Sequence, residues 1–551
     1  MVRYALLAGC ATGIGLAAGL AEGPARAQAF QGTPIAVATG TVTFDRTTPG
    51  VETITALRPT AIIDWTPSDT TGTGTVNFLP QGNVATFTST PTIGAGYTIL
   101  NRIMPSDTTR SVTLDGIIHG YQGGTTVNGG TLWFYSPGGL IIGADARLDV
   151  GSLLLTANPI AIGTNNELYG SSGQIQLRAG NAGAQVLIAN GATITAPQPG
   201  SYIAVVSPRI TQGGTVNVNG SAAYVAADSV DLTFNAGLFT IAIQTGATAS
   251  SDILQHTGTT TGPASTGAGD PHRIYLVAVS RNDAITMLAS GTLGFAAATS
   301  ASIQNGAIIL SAGRDISGGD PPAAPGSIGA PAAVNLTNAT VTSPVSLFAS
   351  STAQVTASGI VPVARIDAPQ SITINTPGFT GGGTLTSTGP ISIAGGSFAL
   401  GAVTSGGSIT ATVTGDLSAG AVTATNSVGI TATGLVTLTN ATVGDDLTIS
   451  AGSANLTTLR ATYTGGADVG NDGSNIRVTT AGDLTVHDAA AVYGIALTAG
   501  TGGTGTLTAD LLHTDRAATT LLNQGSGDIR LTTLDSQGDV TLTATGGAIT
   551  G

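Results

Sequence analysis

A short pattern recurs in the second half of the chain, and it restricts the fold more than any other feature. Each copy has a turn-forming pair, Gly-Asp or Asp-Asp, followed by residues that alternate apolar, polar and apolar. The copies begin at Gly415, Asp445, Gly482, Gly527 and Gly538. Alternation over a few residues indicates a short strand, and a turn pair that punctuates such strands again and again is typical of a repeat architecture.

The starts of related strands give the period of the repeat. Ile391, Ile409, Ile430 and Leu447 are 18, 21 and 17 residues apart. A period near twenty with several short strands is typical of a stacked solenoid, in which each coil pairs edge to edge with the previous one. We therefore predict an all-β fold, a right-handed parallel β-helix with an N-terminal cap and protruding loops. The side chains of Ile391, Ile409 and Ile430 should lie one above another.

Composition excludes several other classes. The chain has 80 Gly among 551 residues, 9% charged residues and a mean hydropathy of +0.31. Disorder needs more charge and less apolar content, and the glycines lack the three-residue period of collagen. All 17 basic residues are Arg, they are scattered, and the net charge is −13. Binding to nucleic acid needs clustered positive charge, so we predict no nucleic-acid partner.

The N-terminus has the pattern of an export signal. One positive charge lies in Met1–Arg3, a small apolar run follows over Tyr4–Leu20, and Ala27 and Ala29 form an A-x-A cleavage site. Cleavage there leaves Phe30 as the first mature residue.

Leu7–Cys10 offers a competing interpretation, because it resembles a lipobox. Its apolar run is shorter than the usual core of an export signal, which disfavours it. Cys10 is the only cysteine of the chain, so the mature protein would hold no disulfide bond. After residue 30 no apolar stretch is long enough to cross a bilayer as a helix.

These signals divide the chain into four parts. We predict a signal peptide at 1–29, a first β-helical domain at 30–317, a Pro/Gly-rich loop or hinge at 318–332 and a shaft of β-helical repeats at 333–551. Residues 256–270, rich in Thr and Gly, are predicted to form a second protruding loop. The last residues fall in the middle of a repeat, which leads us to expect that more coils once followed.

The most specific motifs lie between residues 97 and 160. Asn101-Arg102-Ile103 follows two apolar residues, and a later strand runs into Ser136-Pro137-Gly138-Gly139 and a second apolar strand. This stretch resembles the secretion domain of filamentous-haemagglutinin-like two-partner-secretion exoproteins, over about residues 30 to 310. Those domains carry an Asn-Arg-Ile element and a strand that ends in Asn-Pro-Asn-Gly.

The resemblance implies a β-helix cap that an outer-membrane β-barrel transporter recognises in the periplasm before it threads the exoprotein to the surface. The residues that it assigns to transporter recognition are Asn101, Arg102, Ile103, Ser136, Pro137, Gly138 and Gly139. The usual asparagines are absent from the second motif. We expect a type II turn there, with Pro137 fixing φ at its second position and Gly138 taking the positive φ that follows.

No residue pattern indicates catalysis, a metal or a cofactor. The five histidines lack the spacing of metal ligands, and we expect each repeated Asp to accept a backbone N–H of its own turn. Trp133 and Tyr135 should face one side of their strand and Phe134 the other, in core or cap packing rather than a sugar platform.

We therefore predict a secreted, adhesin-like exoprotein, at the cell surface or released, that is not an enzyme and whose surface ligand is unidentified. A polysaccharide-acting enzyme on a β-helix and a self-associating surface-layer or biofilm-matrix protein are the alternatives.

Overall fold

The computed structural model describes residues 28–248, 253–267, 269–297, 306–317, 319, 328–462 and 473–551. Every regular element in these ranges is a β-strand. Within the same ranges there is no helix with the length and apolar character needed to cross a membrane.

The strands are short, and most have between three and nine residues. Those that precede the Pro/Gly-rich segment are β1 Gly32–Ala36, β2 Val42–Asp45, β3 Val51–Ala56, β4 Thr60–Pro67, β5 Val76–Leu79, β6 Val84–Ser89, β7 Thr98–Ile103, β8 Val112–Leu114, β9 Ile117–Gly120, β10 Thr131–Tyr135, β11 Gly139–Ile142, β12 Arg147–Asp149, β13 Ser152–Thr156, β14 Ile175–Leu177, β15 Gln185–Ile188, β16 Thr193–Ser207, β17 Arg209–Gln212, β18 Thr215–Ala226, β19 Ser229–Asn235, β20 Leu238–Thr245, β21 Leu254–His256, β22 Thr259–Gly262, β23 Arg273–Ala278, β24 Ile285–Ala289, β25 Thr292–Phe295 and β26 Ala307–Ala312. Those that follow it are β27 Ala332–Thr337, β28 Thr340–Val341, β29 Val345–Ala349, β30 Thr352–Thr356, β31 Val361–Asp367, β32 Ser371–Ser387, β33 Ile391–Ser405, β34 Ile409–Val413, β35 Leu417–Ala424, β36 Val428–Ala432, β37 Leu435–Val443, β38 Leu447–Ala451, β39 Ser453–Ala461, β40 Ile476–Thr480, β41 Leu484–Ala491, β42 Ile495–Ala499, β43 Leu507–Thr514, β44 Thr519–Asn523, β45 Ile529–Ser536, β46 Val540–Ala544 and β47 Ile549–Thr550.

Successive coils pair in parallel, which confirms the predicted β-helix. The ladder on one face runs from β8 through β11, β15, β17, β21, β24, β27 and β30 to β32. A second face runs β9, β12, β16, β18, β22, β25 and β28. A third begins at β4 and continues through β7, β10, β13 and β16, and one apolar core fills the coil from Ala29 to Ile529.

Antiparallel strands close the N-terminal end. β1 pairs with β4 and β2 pairs with β3, both antiparallel, before the parallel ladders begin. A group of aromatic rings plugs the coil beneath them, with the Phe30 centroid 4.9 Å from Trp65, 5.0 Å from Phe78 and 6.1 Å from Phe87. The first coil therefore buries its open end, as the predicted cap requires.

From Ile391 to Leu447 the repeats stack at nearly constant spacing, but one predicted register is wrong. Ile391 pairs with Ile409, Ile409 with Val428 and Val428 with Leu447, at spacings of 18, 19 and 19 residues. Ile430 instead pairs with Ala411, two residues further along the strand. Alternation has a period of two, so a slip of two residues leaves the same side chains facing inward, and the pattern alone does not fix the register.

A small antiparallel sheet of β14, β19 and β20 lies on the outside of the coil. It covers a second apolar cluster, separate from the inner core, that includes Trp133, Tyr135, Tyr202 and Phe239. The coil is therefore buried on both surfaces of this face, as the continuous apolar stretch Leu132–Tyr135 requires.

The structure describes the two segments that were predicted to be irregular to different extents. The first part of the predicted loop at 256–270 is regular, because β21 ends at His256, which is fully buried, and β22 joins a parallel ladder at Thr259–Gly262; the described residues after Gly262 form no strand up to 270. Most of 318–332 lies outside the described residues, and on its two sides β26 pairs directly with β29.

Candidate functional site

The Asn101-Arg102-Ile103 element lies on β7, between the first coil and the strand β10. Asn101 is fully buried. Its Oδ1 accepts a hydrogen bond from the Trp65 indole N–H at 3.0 Å, and its Nδ2 donates to the Trp133 carbonyl at 3.3 Å. One amide side chain thus satisfies polar groups of the coil before it and the coil after it. Without this side chain, the buried Trp65 indole N–H and the Trp133 carbonyl would lose this partner. The packing of the coils therefore explains why an amide side chain stands at position 101.

Arg102 lies at the surface of the same strand. Its Nε and Nη2 bind Oδ1 and Oδ2 of Asp64, on the preceding coil, at 2.6 and 2.8 Å. The two side chains keep 29% and 38% of their surface exposed. Ile103 is buried in the inner core beside Trp65. Of the three residues of this element, Arg102 is the one that presents a charged group to solvent.

The second motif forms a turn, but not the predicted one. The Gly139 N–H donates to the Ser136 carbonyl at 3.1 Å, which closes the turn over Pro137 and Gly138. The positive φ lies at Gly139, with a value of 103°, and not at Gly138, so the expected type II turn is wrong.

The spacing between coils explains why both positions are glycine. A Cβ at Gly139 would lie 2.2 Å from the Gln185 carbonyl oxygen, and one at Gly138 would lie 2.1 Å from that of Arg110. Each glycine is therefore needed because a neighbouring coil passes close to its backbone. Ser136 is buried and Pro137 is half-buried, so the turn offers little side-chain surface to a partner.

The aromatic strand behaves as predicted. Phe134 faces the inner core, whereas Trp133 and Tyr135 face outward into the second apolar cluster. The Trp133 indole N–H donates to the Tyr202 hydroxyl at 3.1 Å, and burial raises the pKa of that phenol. These rings pack beneath the outer sheet and are closed to a sugar.

Comparison with known proteins gives matches among solved structures. No family model matches the chain, and no curated protein matches it. The structure of the HMW1 secretion domain from Haemophilus influenzae matches at 12% identity with a TM-score of 0.34, and covers 94% of this chain and 99% of its own. The filamentous haemagglutinin secretion domain matches at 13% identity with a TM-score of 0.23, and covers 76% of this chain and 99% of its own. Both are secretion domains of the kind that the sequence motifs resemble. The fold itself rests on the strand pairing described above.

The predicted cleavage site lies at the edge of the cap. Ala27 falls outside the described residues, whereas Ala29 and Phe30 are described and are fully buried. The Phe30 backbone N–H donates to Oε2 of Glu52 at 3.3 Å. Sequence reasoning did not single out Glu52, although Glu is rare in the chain.

Histidines and carboxylates do not form a metal centre in the part of the chain that the structure describes, where no group of three such side chains is placed to hold an ion. His256 is fully buried and its Nε2 lies 2.8 Å from the Thr260 hydroxyl; burial lowers its pKa to about 4, so it is neutral. His513 lies at the surface between Asp515 and Asp535, and hydrogen bonds to these carboxylates raise its pKa.

Three of the repeated aspartates bind the next coil and not their own turn. The Oδ1 atoms of Asp416, Asp483 and Asp528 accept backbone N–H groups of Leu435, Thr506 and Ala548, at 2.7, 2.8 and 3.0 Å. Each donor lies 19 to 23 residues further along the chain. The expected local turn bond is therefore wrong at these positions. The recurrence of a turn-forming pair with Asp before so many strands was the signal that could have pointed to a contact between coils.

Proposed function

We propose that this chain is an exoprotein exported to the cell surface or the medium, and that its N-terminal coils are recognised by an outer-membrane β-barrel transporter. The observation that carries the proposal is the construction of the first coils. An antiparallel cap sealed by aromatic rings leads directly into parallel coils, and Asn101 of the resembling motif ties three of them together.

This construction suits export through a membrane pore. In a solenoid each coil contacts only its neighbours, so coils can form one after another on an existing cap. A chain that emerges from a transporter with its cap in place needs no distant segment in order to begin folding. The single cysteine, Cys10, lies in the predicted signal peptide, so no disulfide bond would obstruct passage.

The remaining coils are proposed to act as an adhesin-like rod, without catalysis, through their surface. Along the ladder that contains Ile391 and Ile409, the outward positions hold small neutral residues such as Ser392, Thr410 and Thr448. The next outward position of this ladder is Arg477, whose charge is paired with Asp446. A face with so few charges suits extended contact with a surface.

A pair of matched variants tests the export proposal. Arg102→Ala removes the exposed ion pair to Asp64, and Arg460→Ala removes an equivalent pair in the shaft, where Arg460 and Asp488 are 33% and 32% exposed. Surface ion pairs contribute little to stability, so both variants should fold. In the cell that makes the protein, we expect Arg102→Ala to accumulate in the periplasm while Arg460→Ala is exported normally. Equal export of the two variants would contradict transporter recognition at the Asn-Arg-Ile element.

A further inference from the structure

Glu52 is a buried carboxylate in the N-terminal cap. The chain has three Glu, at positions 22, 52 and 167. The Glu52 side chain is fully shielded from solvent at the start of β3. Arg46 binds one of its two oxygens, because both Nε and Nη2 of the guanidinium donate to Oε1, at 2.7 and 2.6 Å.

The second oxygen faces the backbone nitrogen of Phe30. Within the part of the chain that the structure describes, Oε2 accepts this one N–H, at 3.3 Å. The Phe30 ring is held between Trp65 and Phe78, with centroids at 4.9 and 5.0 Å, so the position of the nitrogen is fixed by the packing of its own side chain.

A neutral amide is a weak partner for a buried carboxylate. Burial raises the pKa of Glu52 above its usual value in spite of the Arg46 charge, so the ionised form is incompletely compensated. A cationic donor at the position of the Phe30 nitrogen would form a shorter and stronger, charge-assisted hydrogen bond.

We propose that cleavage between Ala29 and Phe30 creates that donor, and that the new α-ammonium group of Phe30 binds Glu52 and completes the cap. Water hydrolyses the peptide bond: the Ala29 carbonyl carbon gains the hydroxyl, and the Phe30 nitrogen gains the hydrogen and then a further proton. The inference rests on the export signal of the proposed function, but not on the transporter.

The sequence alone allows a second cleavage position. Ala25-Arg26-Ala27 also fits A-x-A and would leave Gln28 as the first residue. In the structure, the carbonyls of Gln28 and Ala29 accept hydrogen bonds from Asn83 at 3.1 and 3.0 Å, and Ala29 is buried at the end of the inner core. Cleavage after Ala29 gives up these neutral contacts. Cleavage after Ala29 is the one that places a charge against Glu52, and on this ground we assign it.

The chain offers an unusually direct test, because it contains no Lys. The α-amine is then the single primary amine of the processed protein, and an amine-reactive reagent reports on it alone. The first measurement is the intact mass and N-terminal sequence of protein purified from the periplasm and from the medium. We expect Phe30 at the N-terminus; Gln28 or any other residue would overturn the inference.

The second measurement is the rate at which the α-amine of folded protein is acylated near pH 7. A carboxylate within hydrogen-bond distance raises the pKa of an amine by about one unit or more, which lowers its reactive fraction about tenfold. Glu52→Gln should therefore react about tenfold faster than the wild type. Glu167→Gln, which changes the exposed Glu of a loop, should react at the wild-type rate. Equal rates in all three proteins would overturn the pairing.

If Glu52→Gln does not fold, the pH dependence of acylation in the wild type replaces it. The charged groups that hydrogen-bond at this position in the described cap are Glu52 and Arg46. Half-maximal reactivity should lie about one pH unit or more above the usual α-amino range of about 8, and a midpoint within that range would overturn the inference.

The same samples separate this inference from the proposed function. Periplasmic protein that starts at Phe30 and reacts slowly, but never reaches the surface, would support the Glu52 contact and contradict the transporter proposal. Protein at the surface that starts at another residue, or whose α-amine reacts at the rate of Glu52→Gln, would support the transporter proposal and contradict the Glu52 contact.

Discussion

Replacement of Asn101 by alanine tests whether the Asn-Arg-Ile element holds the first coils together. The change leaves the Trp65 indole N–H and the Trp133 carbonyl without their side-chain partner, inside a core that excludes water. Each buried polar group left unpaired costs about 1–3 kcal/mol. Two such groups give an expected loss of about 2–4 kcal/mol, because the carbonyl keeps other acceptor capacity.

A long solenoid need not unfold in one step, so a local measurement is required. Amide hydrogen exchange of β4, β7 and β10 reports the opening of these coils directly. A loss of 2–4 kcal/mol corresponds to exchange that is faster by a factor of about 30 to 1,000, since about 1.4 kcal/mol is tenfold. The effect should fade within a few coils, because each coil contacts only its neighbours.

Asn440→Ala is the matched control, because Asn440 is exposed on β37 of the shaft. It should leave exchange in both regions unchanged. Exchange in β4, β7 and β10 of Asn101→Ala that stays within a factor of about three of the wild type would refute the structural role assigned to Asn101.

Three further predictions concern other parts of the chain. Asp416→Ala removes the acceptor for an amide of the next coil and should speed exchange of that amide by a factor of about 2 to 12, from about 0.5–1.5 kcal/mol, whereas Asp416→Asn should retain most of the bond. An NMR titration of His513 should give a pKa above the usual histidine value of about 6.5, and Asp535→Asn should lower it. Because the pKa is raised in the folded state, the contribution of His513 to stability is full below pH 6.5 and is lost as the pH rises through the folded-state pKa. Gly139→Ala combines a φ of 103° with a backbone clash and should lower stability by at least about 1–3 kcal/mol in exchange measurements, while Gly429→Ala, where nothing lies within 4 Å, should cost under about 1 kcal/mol.

The fold class could be predicted from the repeats, because alternation and turn spacing are local properties of the sequence. The inward and outward sides of the strand at Phe134 followed from the same alternation. The pairing register between coils did not follow from alternation, because a shift of two residues preserves the pattern. Ile430 was paired with the wrong residue for this reason.

Contacts between coils were the second feature that the sequence pattern did not predict. Asp416, Asp483 and Asp528 bind an amide about one coil away, and the approach of Gln185 leaves no room for a side chain at Gly139. Neither partner is a sequence neighbour, so local turn rules assigned both incorrectly. Glu52 was missed for the same reason, because its contacts to Arg46 and Phe30 exist only once the cap has formed.

The most direct test of the proposed export route is photo-crosslinking in the living cell. A photoreactive amino acid replaces Met104, next to the Asn-Arg-Ile element, in one protein and Leu435 of the shaft in another, where the two side chains are 40% and 42% exposed and Arg102 stays in place. The account predicts that position 104 forms an adduct with an outer-membrane β-barrel protein during export, whereas position 435 does not. Export without an adduct at 104, or equal adducts at the two positions, would contradict recognition of the N-terminal coils by a transporter.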